Sequence, residues 1–154
     1  LEYSNLDFRA DFGIDQYFLG KTDSTKKIIE LESFEEQIQF MESLFAEHPR
    51  AYFEYLIDEM KNTQNNINDL FEAWKDGNDS LVAQLIFDSI PDDTIGKQFS
   101  DILITQRNKK MLEKIHNFIS DGGCYFIVVG TGHLIGRDGI IQSLKELGFK
   151  VERK

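Results

Sequence analysis

The stretch VVGTGHLIGRDG, residues 128–139, joins an apolar run to a glycine-rich turn that contains a histidine. The run itself, CYFIVV at 124–129, has β-branched and aromatic side chains and is bounded by Gly123 and Gly130. Such a run is typical of a strand that is buried on both faces. Because ligand sites in open α/β sheets lie beyond the carboxyl ends of strands, His133 is a candidate site residue. The alternative is that the glycines only form a turn and that His133 is an inert loop residue.

Composition and charge limit the classes of function that the chain can have. The chain has 154 residues, of which 41% are hydrophobic and 12% aromatic, and we treat 1–154 as one region with a packed core. Its net charge of −10 repels phosphate backbones, so nucleic acid is not an expected partner. The sequence contains no run of apolar residues long enough for a membrane span.

Strand and helix patterns alternate along the chain. Strands are predicted at 27–31, 124–129 and 149–153, and helices are predicted over most of the remaining sequence. Ser33 and Glu36 have the spacing of a capping box, which predicts a helix that begins directly after the first strand. The fold class expected from this alternation is α/β (α+β), a helix-rich domain with a small mixed sheet.

Three further polar residues are candidates for the same site. Glu32 follows the strand predicted at 27–31, although it is also explained as a carboxylate favoured by the dipole at a helix start. Arg107 and Asn108 lie within or beside the apolar stripe of a helix predicted over 99–119. Because an unpaired buried charge is costly, Arg107 needs a carboxylate or ligand partner, or a path to solvent. A structural salt bridge and a functional role are both consistent with this pattern.

Five segments of the sequence occur in an order that is similar to one known family. They are GIDQYF (13–18), KKIIELESFEEQ (26–37), AWKDGND (73–79), TQRNKKMLEKI (105–115) and YFIVVGTGHLIGRDGIIQSLKELGFKV (125–151). In this order they resemble the TraB/GumN family, the bacterial relatives of the TIKI metallopeptidases. The hallmark of that family is a pair of G-x-x-H (GX2H) motifs, and the segment from Gly130 to His133 resembles the second of them.

The resemblance also has implications for how much of the domain is present. The sequence contains one G-x-x-H motif, so the chain is similar to the C-terminal portion of a ChaN/TIKI-like domain, and alone it is expected to be inactive. The natural protein is expected to be exported or membrane-anchored in bacteria, with its targeting signal outside this chain. A domain that lacks part of its sheet leaves an unpaired strand edge or apolar face, which predicts a homo-oligomer.

The activity implied by the resemblance is metal-dependent hydrolysis of a peptide or protein substrate. Matching the motifs assigns Glu32, Arg107, Asn108 and His133 to the catalytic group, with His133 and Glu32 as the metal ligands. The expected cofactor is a divalent ion (manganese, cobalt or zinc), which polarises a carbonyl and lowers the pKa of bound water. The alternative is a non-catalytic binding or regulatory protein, as in family members that restrain pheromone signalling.

Overall fold

The computed structural model describes residues 9–154, with all their side chains except those of residues 59–60 and 62–66. This part of the chain consists of helices joined by turns and extended segments. The helices are α1 (Ile14–Leu19), α2 (Phe34–Glu47), α3 (Pro49–Lys75), α4 (Asp79–Phe87), α5 (Thr94–Ser100), α6 (Gln106–Ser120), α7 (Thr131–Leu134) and α8 (Ile140–Glu146). A short 3-10 helix (Ala10–Phe12) precedes α1, and a π-helical segment (Asp101–Thr105) joins α5 to α6. Among the described helices, none is both long and apolar enough to cross a membrane.

Local signals explain where the main helices begin and end. The side chain of Ser33 accepts a hydrogen bond from the amide of Glu36, and the side chain of Glu36 accepts one from the amide of Ser33. The predicted capping box is therefore confirmed at the start of α2. Pro49 lies in the first turn of α3, where its missing N–H leaves no helical hydrogen bond unmade. The side chain of Asn78 caps α4 after the turn at Gly77.

The helix predicted over 99–119 is interrupted by the π-helical segment. The wider turn ends immediately before Gln106, whose side chain donates a hydrogen bond of 2.7 Å to Asp101. Single π-helical turns are frequent at functional sites, where they change the direction in which the following side chains point. Here the residues that follow are Arg107 and Asn108.

The predicted sheet is absent from the part of the chain that the structure describes, so the α/β fold class is wrong. Residues 27–30, 123–130 and 149–154 are neither helix nor strand, and no backbone hydrogen bonds join them into a ladder. Phe126 is 72% exposed and Cys124 is also exposed, where the pattern predicted burial. β-branched and aromatic residues favour an extended backbone, but a strand also needs a neighbour that completes its hydrogen bonds. No backbone hydrogen bonds of this kind form within residues 9–154, and the described fold is helical.

Within residues 9–154, two clusters of buried side chains form core packing. The first, between α2, α3, α5 and the π-helical segment, contains Leu44, Tyr52, Phe99 and Ile102. The second, between α6 and α8, contains Met111, Ile115 and Ile140. Leu31 and Val129, from two extended segments, pack against the second cluster. This packing holds the neighbours of Glu32 and of Gly130 close to α6, and so it positions the candidate site.

Candidate functional site

Glu32 and Arg107 form a bidentate ion pair between the start of α2 and α6. The Nε of Arg107 donates to Oε1 of Glu32 at 2.8 Å, and Nη2 donates to Oε2 at 2.7 Å. Only 6% of the Glu32 side chain and 23% of the Arg107 side chain are exposed. Glu36, in the capping box beside this pair, lies 3.5 Å from the Nζ of Lys110 on α6 and ties the two helices together. Arg107 thus has the carboxylate partner that its position in an apolar stripe requires.

Asn108 connects α6 to the turn that carries His133. It is 4% exposed, and its Nδ2 donates to the backbone carbonyl oxygens of His133 at 3.2 Å and of Asp138 at 2.7 Å. Because both amide hydrogens are used in this way, the oxygen Oδ1 must be the atom that faces His133, 2.7 Å from Nδ1. An oxygen acceptor at this distance requires the hydrogen to be on Nδ1, so the neutral ring carries its lone pair on Nε2.

The imidazole of His133 is buried and uncharged at neutral pH. Burial lowers the pKa of His133 below its ordinary value of 6.5, the positive charge of Arg107 lowers it further, and Glu32 raises it in part. No hydrogen bond from the described residues reaches Nε2. Within residues 9–154, every side-chain nitrogen or oxygen that is fully buried has a hydrogen-bond partner. Because Nε2 has none, it is not fully buried and keeps contact with solvent. The ring therefore presents one basic nitrogen in a fixed orientation.

The three glycines around His133 have different structural roles. Gly136 has a φ of +81°, a left-handed conformation that favours glycine, and a Cβ there would lie 2.9 Å from the ring of Phe87. Gly130 precedes α7, and its carbonyl accepts a hydrogen bond of 2.9 Å from the amide of His133. Gly132 has an ordinary φ, and its lack of a side chain leaves space beside Ile86 of α4.

The expected metal site does not fit the residues that the structure describes. Both carboxylate oxygens of Glu32 accept hydrogen bonds from Arg107, so a positive charge already lies where an ion would bind. Within residues 9–154, no group of three or more His, Cys, Asp or Glu side chains is arranged to hold a metal ion. A catalytic zinc site ordinarily uses about three protein ligands. The assignment of His133 and Glu32 as metal ligands therefore stays a prediction, and it requires ligands from elsewhere.

The four residues selected from the sequence lie in one connected network. Glu32 is bonded to Arg107, Asn108 follows Arg107 on α6, and Asn108 is bonded to His133. Asp138 also belongs to this network, but it enters through its backbone carbonyl, which no side-chain pattern identifies. The structure thus shows the proximity of the candidate residues, and their role in catalysis stays a prediction.

The fold and the site define a helix-rich protein with a buried, internally hydrogen-bonded polar network around a neutral histidine. The chain belongs to the TraB/PrgY/gumN family, whose family model matches residues 1–153. No curated protein and no solved structure matches the chain. The family is therefore established for nearly the whole chain, and the function must be argued from the chemistry of the site.

Proposed function

We propose that this protein takes part in the hydrolysis of peptide substrates, with His133 as the base that activates the attacking water. The observation that supports this proposal is the Asn108–His133 hydrogen bond, which fixes the tautomer and leaves Nε2 available. Water gives a proton to Nε2 while its oxygen adds to the carbonyl carbon, and the same proton then passes to the leaving amine. A neutral imidazole held in one orientation is suited to both transfers.

Arg107 is proposed to stabilise the negative charge that develops on the carbonyl oxygen. Of its five N–H donors, two are directed to Glu32 and one, on Nη1, to the backbone carbonyl of Leu103 at 3.2 Å. The remaining donors are available to an oxyanion, and Glu32 fixes the plane of the guanidinium group. In this role Glu32 positions Arg107 and does not itself react.

The resemblance to metallopeptidases leads to a metal-dependent form of the same proposal. In that form the lone pair of His133 Nε2 would serve as a ligand to a divalent ion that polarises the carbonyl. Glu32 would have to exchange its bonds with Arg107 for bonds to the ion, and further ligands would be needed. Both forms use the same nitrogen of His133, so both predict that its loss is severe.

Peptide cleavage by this protein tests the proposal. We expect His133→Gln to lower the rate at least about 100-fold, which is the usual contribution of a general base. His116→Gln, on the exposed side of α6, is the matched control and should leave the rate unchanged. The assay is run with EDTA and with manganese, cobalt or zinc, and cleavage only with added metal would support the metal-dependent form.

The same assay separates hydrolysis from the alternative, a binding or regulatory function. The metal-free form predicts cleavage by the 154-residue chain in the presence of EDTA. The metal-dependent form needs ligands beyond His133 and Glu32, so it predicts that this chain cleaves poorly even with added metal. If His133→Gln cleaves as fast as the unchanged protein, His133 is not the base. A protein that binds peptides but cleaves none under any of these conditions would support the binding function.

A further inference from the structure

An apolar cavity of about 300 Å³ lies between α3, α4 and α7. Its side walls are formed by Ile67, Leu70, Phe71 and Trp74 of α3 and by Val82 and Ile86 of α4. All of these side chains are apolar, and the volume is at the lower end of the range for small-ligand pockets. A charged group placed in this cavity would find no partner among these walls, so the cavity selects uncharged, apolar groups.

The end of the cavity is formed by the same turn that carries His133. Thr131 and Gly132, which line the cavity, are the two residues that precede His133 in the G-x-x-H motif. A Cβ on Gly132 would lie 3.7 Å from Cδ1 of Ile86, so the glycine keeps this end of the cavity open. One short turn thus connects a fixed imidazole to an apolar space.

We propose that this cavity binds an apolar side chain, such as that of leucine or phenylalanine, from a peptide that passes along the Gly130–His133 turn. The proposal rests on the proposed function, because it names the substrate class of that site. Continuity with the turn favours a peptide side chain as the occupant. The cavity is large enough for one such side chain.

The aromatic residues of α3 add a reason for binding and a means of measuring it. Trp74 is 46% exposed and Phe71 is 40% exposed, and their ring centroids are 6.1 Å apart. A side chain bound in the cavity would remove apolar surface of these rings from water. Trp74 is the one tryptophan of the chain, so tryptophan fluorescence comes from a residue that lines this cavity.

The test is a fluorescence titration with short blocked peptides that differ at one position. The probes are acetyl-Gly-Leu-Gly-amide, its phenylalanine counterpart and its serine counterpart. We expect saturable shifts of Trp74 emission with the first two, and affinity about ten- to a hundredfold weaker with serine, as expected when an apolar side chain is buried. Equal responses to the leucine and serine peptides would overturn the proposal.

Two variants that leave Trp74 in place fill the cavity to different extents. Gly132→Ala adds one methyl group, which would meet its nearest neighbours at 3.7–3.9 Å without clashing. Ile86→Phe adds a larger group on the wall formed by α4. We expect Gly132→Ala to weaken binding of the leucine peptide several-fold and Ile86→Phe to abolish it. Gly20→Ala is the matched control outside the cavity and should bind normally; normal binding by both cavity variants would overturn the proposal.

A third variant distinguishes this proposal from the proposed function. Binding of the leucine peptide and its cleavage are both measured in His133→Gln, whose imidazole does not line the cavity. If the peptide binds as described but cleavage does not depend on His133, the cavity assignment stands and the hydrolytic role fails. If cleavage depends on His133 but Gly132→Ala binds normally, the hydrolytic role stands and the cavity assignment fails. Emission that shifts with protein concentration without peptide, and no longer does so in Ile86→Phe, would show that a second copy fills the cavity and would overturn the assignment.

Discussion

The polar network around Asn108 and the extended segment 123–129 satisfy their hydrogen-bonding groups in opposite ways. In the network, the amide of Asn108 donates to two backbone carbonyls and accepts from His133. Along residues 124–129, no backbone hydrogen bonds form within the described chain, and Tyr125 and Phe126 are 41% and 72% exposed. Water can satisfy the exposed segment, whereas the buried network must satisfy itself. Substitutions should therefore cost much more stability in the network than in the segment.

The largest loss of stability is expected for Asn108→Leu. The variant leaves Nδ1–H of His133 and the carbonyls of His133 and Asp138 without partners, and each unpaired buried group costs about 1–3 kcal/mol. We expect the free energy of unfolding to fall by about 4 kcal/mol in urea denaturation followed by circular dichroism. Asn117→Leu, at an exposed position of α6, is the control and should change it by less than about 0.5 kcal/mol. Similar losses in both variants would show that the network is not buried in solution.

A smaller but asymmetric loss is expected for the ion pair. Arg107→Met leaves the Glu32 carboxylate, 6% exposed, without its partner and should cost about 3 kcal/mol. Glu32→Gln should cost less, since the Arg107 side chain is 23% exposed and retains contact with water. The double variant Arg107→Met/Glu32→Gln should lose less free energy of unfolding than the two single variants lose together. The exposed pair of Arg50 and Glu54 is the control.

The control pair defines what a surface contact is worth in this protein. The side chains of Arg50 and Glu54 are 91% and 65% exposed, although their contact distance of 2.9 Å is similar to that of the buried pair. Arg50→Met should therefore cost less than about 0.5 kcal/mol. If Arg107→Met costs no more than Arg50→Met, the buried pair contributes nothing beyond a surface contact.

The comparison also explains which features could be predicted from the sequence. An arginine in an apolar stripe needs a partner or a path to solvent, and the capping box at Ser33 fixes the start of α2, so local rules select Arg107 and Glu32 as candidates. That the two residues contact each other is shown by the structure. The sheet does not follow from such rules. The pattern of residues 124–129 predicts an extended backbone, but pairing depends on a second segment that the pattern itself does not specify. The break of the helix at 101–105 was missed for a similar reason, because its residues have ordinary helical spacing.

A pH-dependent contribution to stability is expected from His133. Its pKa in the folded protein is lowered, mainly by burial, so the unfolded chain binds more protons once the pH falls below the ordinary value of 6.5. This contribution is complete above pH 6.5 and is lost as the pH falls toward the lowered pKa, with a slope of no more than about 1.4 kcal/mol per pH unit. Urea denaturation from pH 8 to pH 5 measures it. His133→Gln should flatten the dependence, and His116→Gln should not; equal slopes in both would contradict the assignment.

The smallest effect on stability, with a distinct effect on assembly, is expected in the extended segment. Phe126 contacts the ring of Phe18 at 4.6 Å between centroids but is otherwise exposed, beside unpaired backbone groups that a second copy is able to cover. We expect the chain to self-associate, and Phe126→Ser to weaken association about tenfold while changing the free energy of unfolding by less than about 1 kcal/mol. Phe34→Ser is the matched control, because Phe34 is 71% exposed, as Phe126 is, but belongs to α2 and not to the segment, and it should associate normally. Light scattering over a range of concentrations measures the association of both variants, and urea denaturation measures their free energy of unfolding. A chain that stays monomeric at high concentration would show that water alone satisfies this segment.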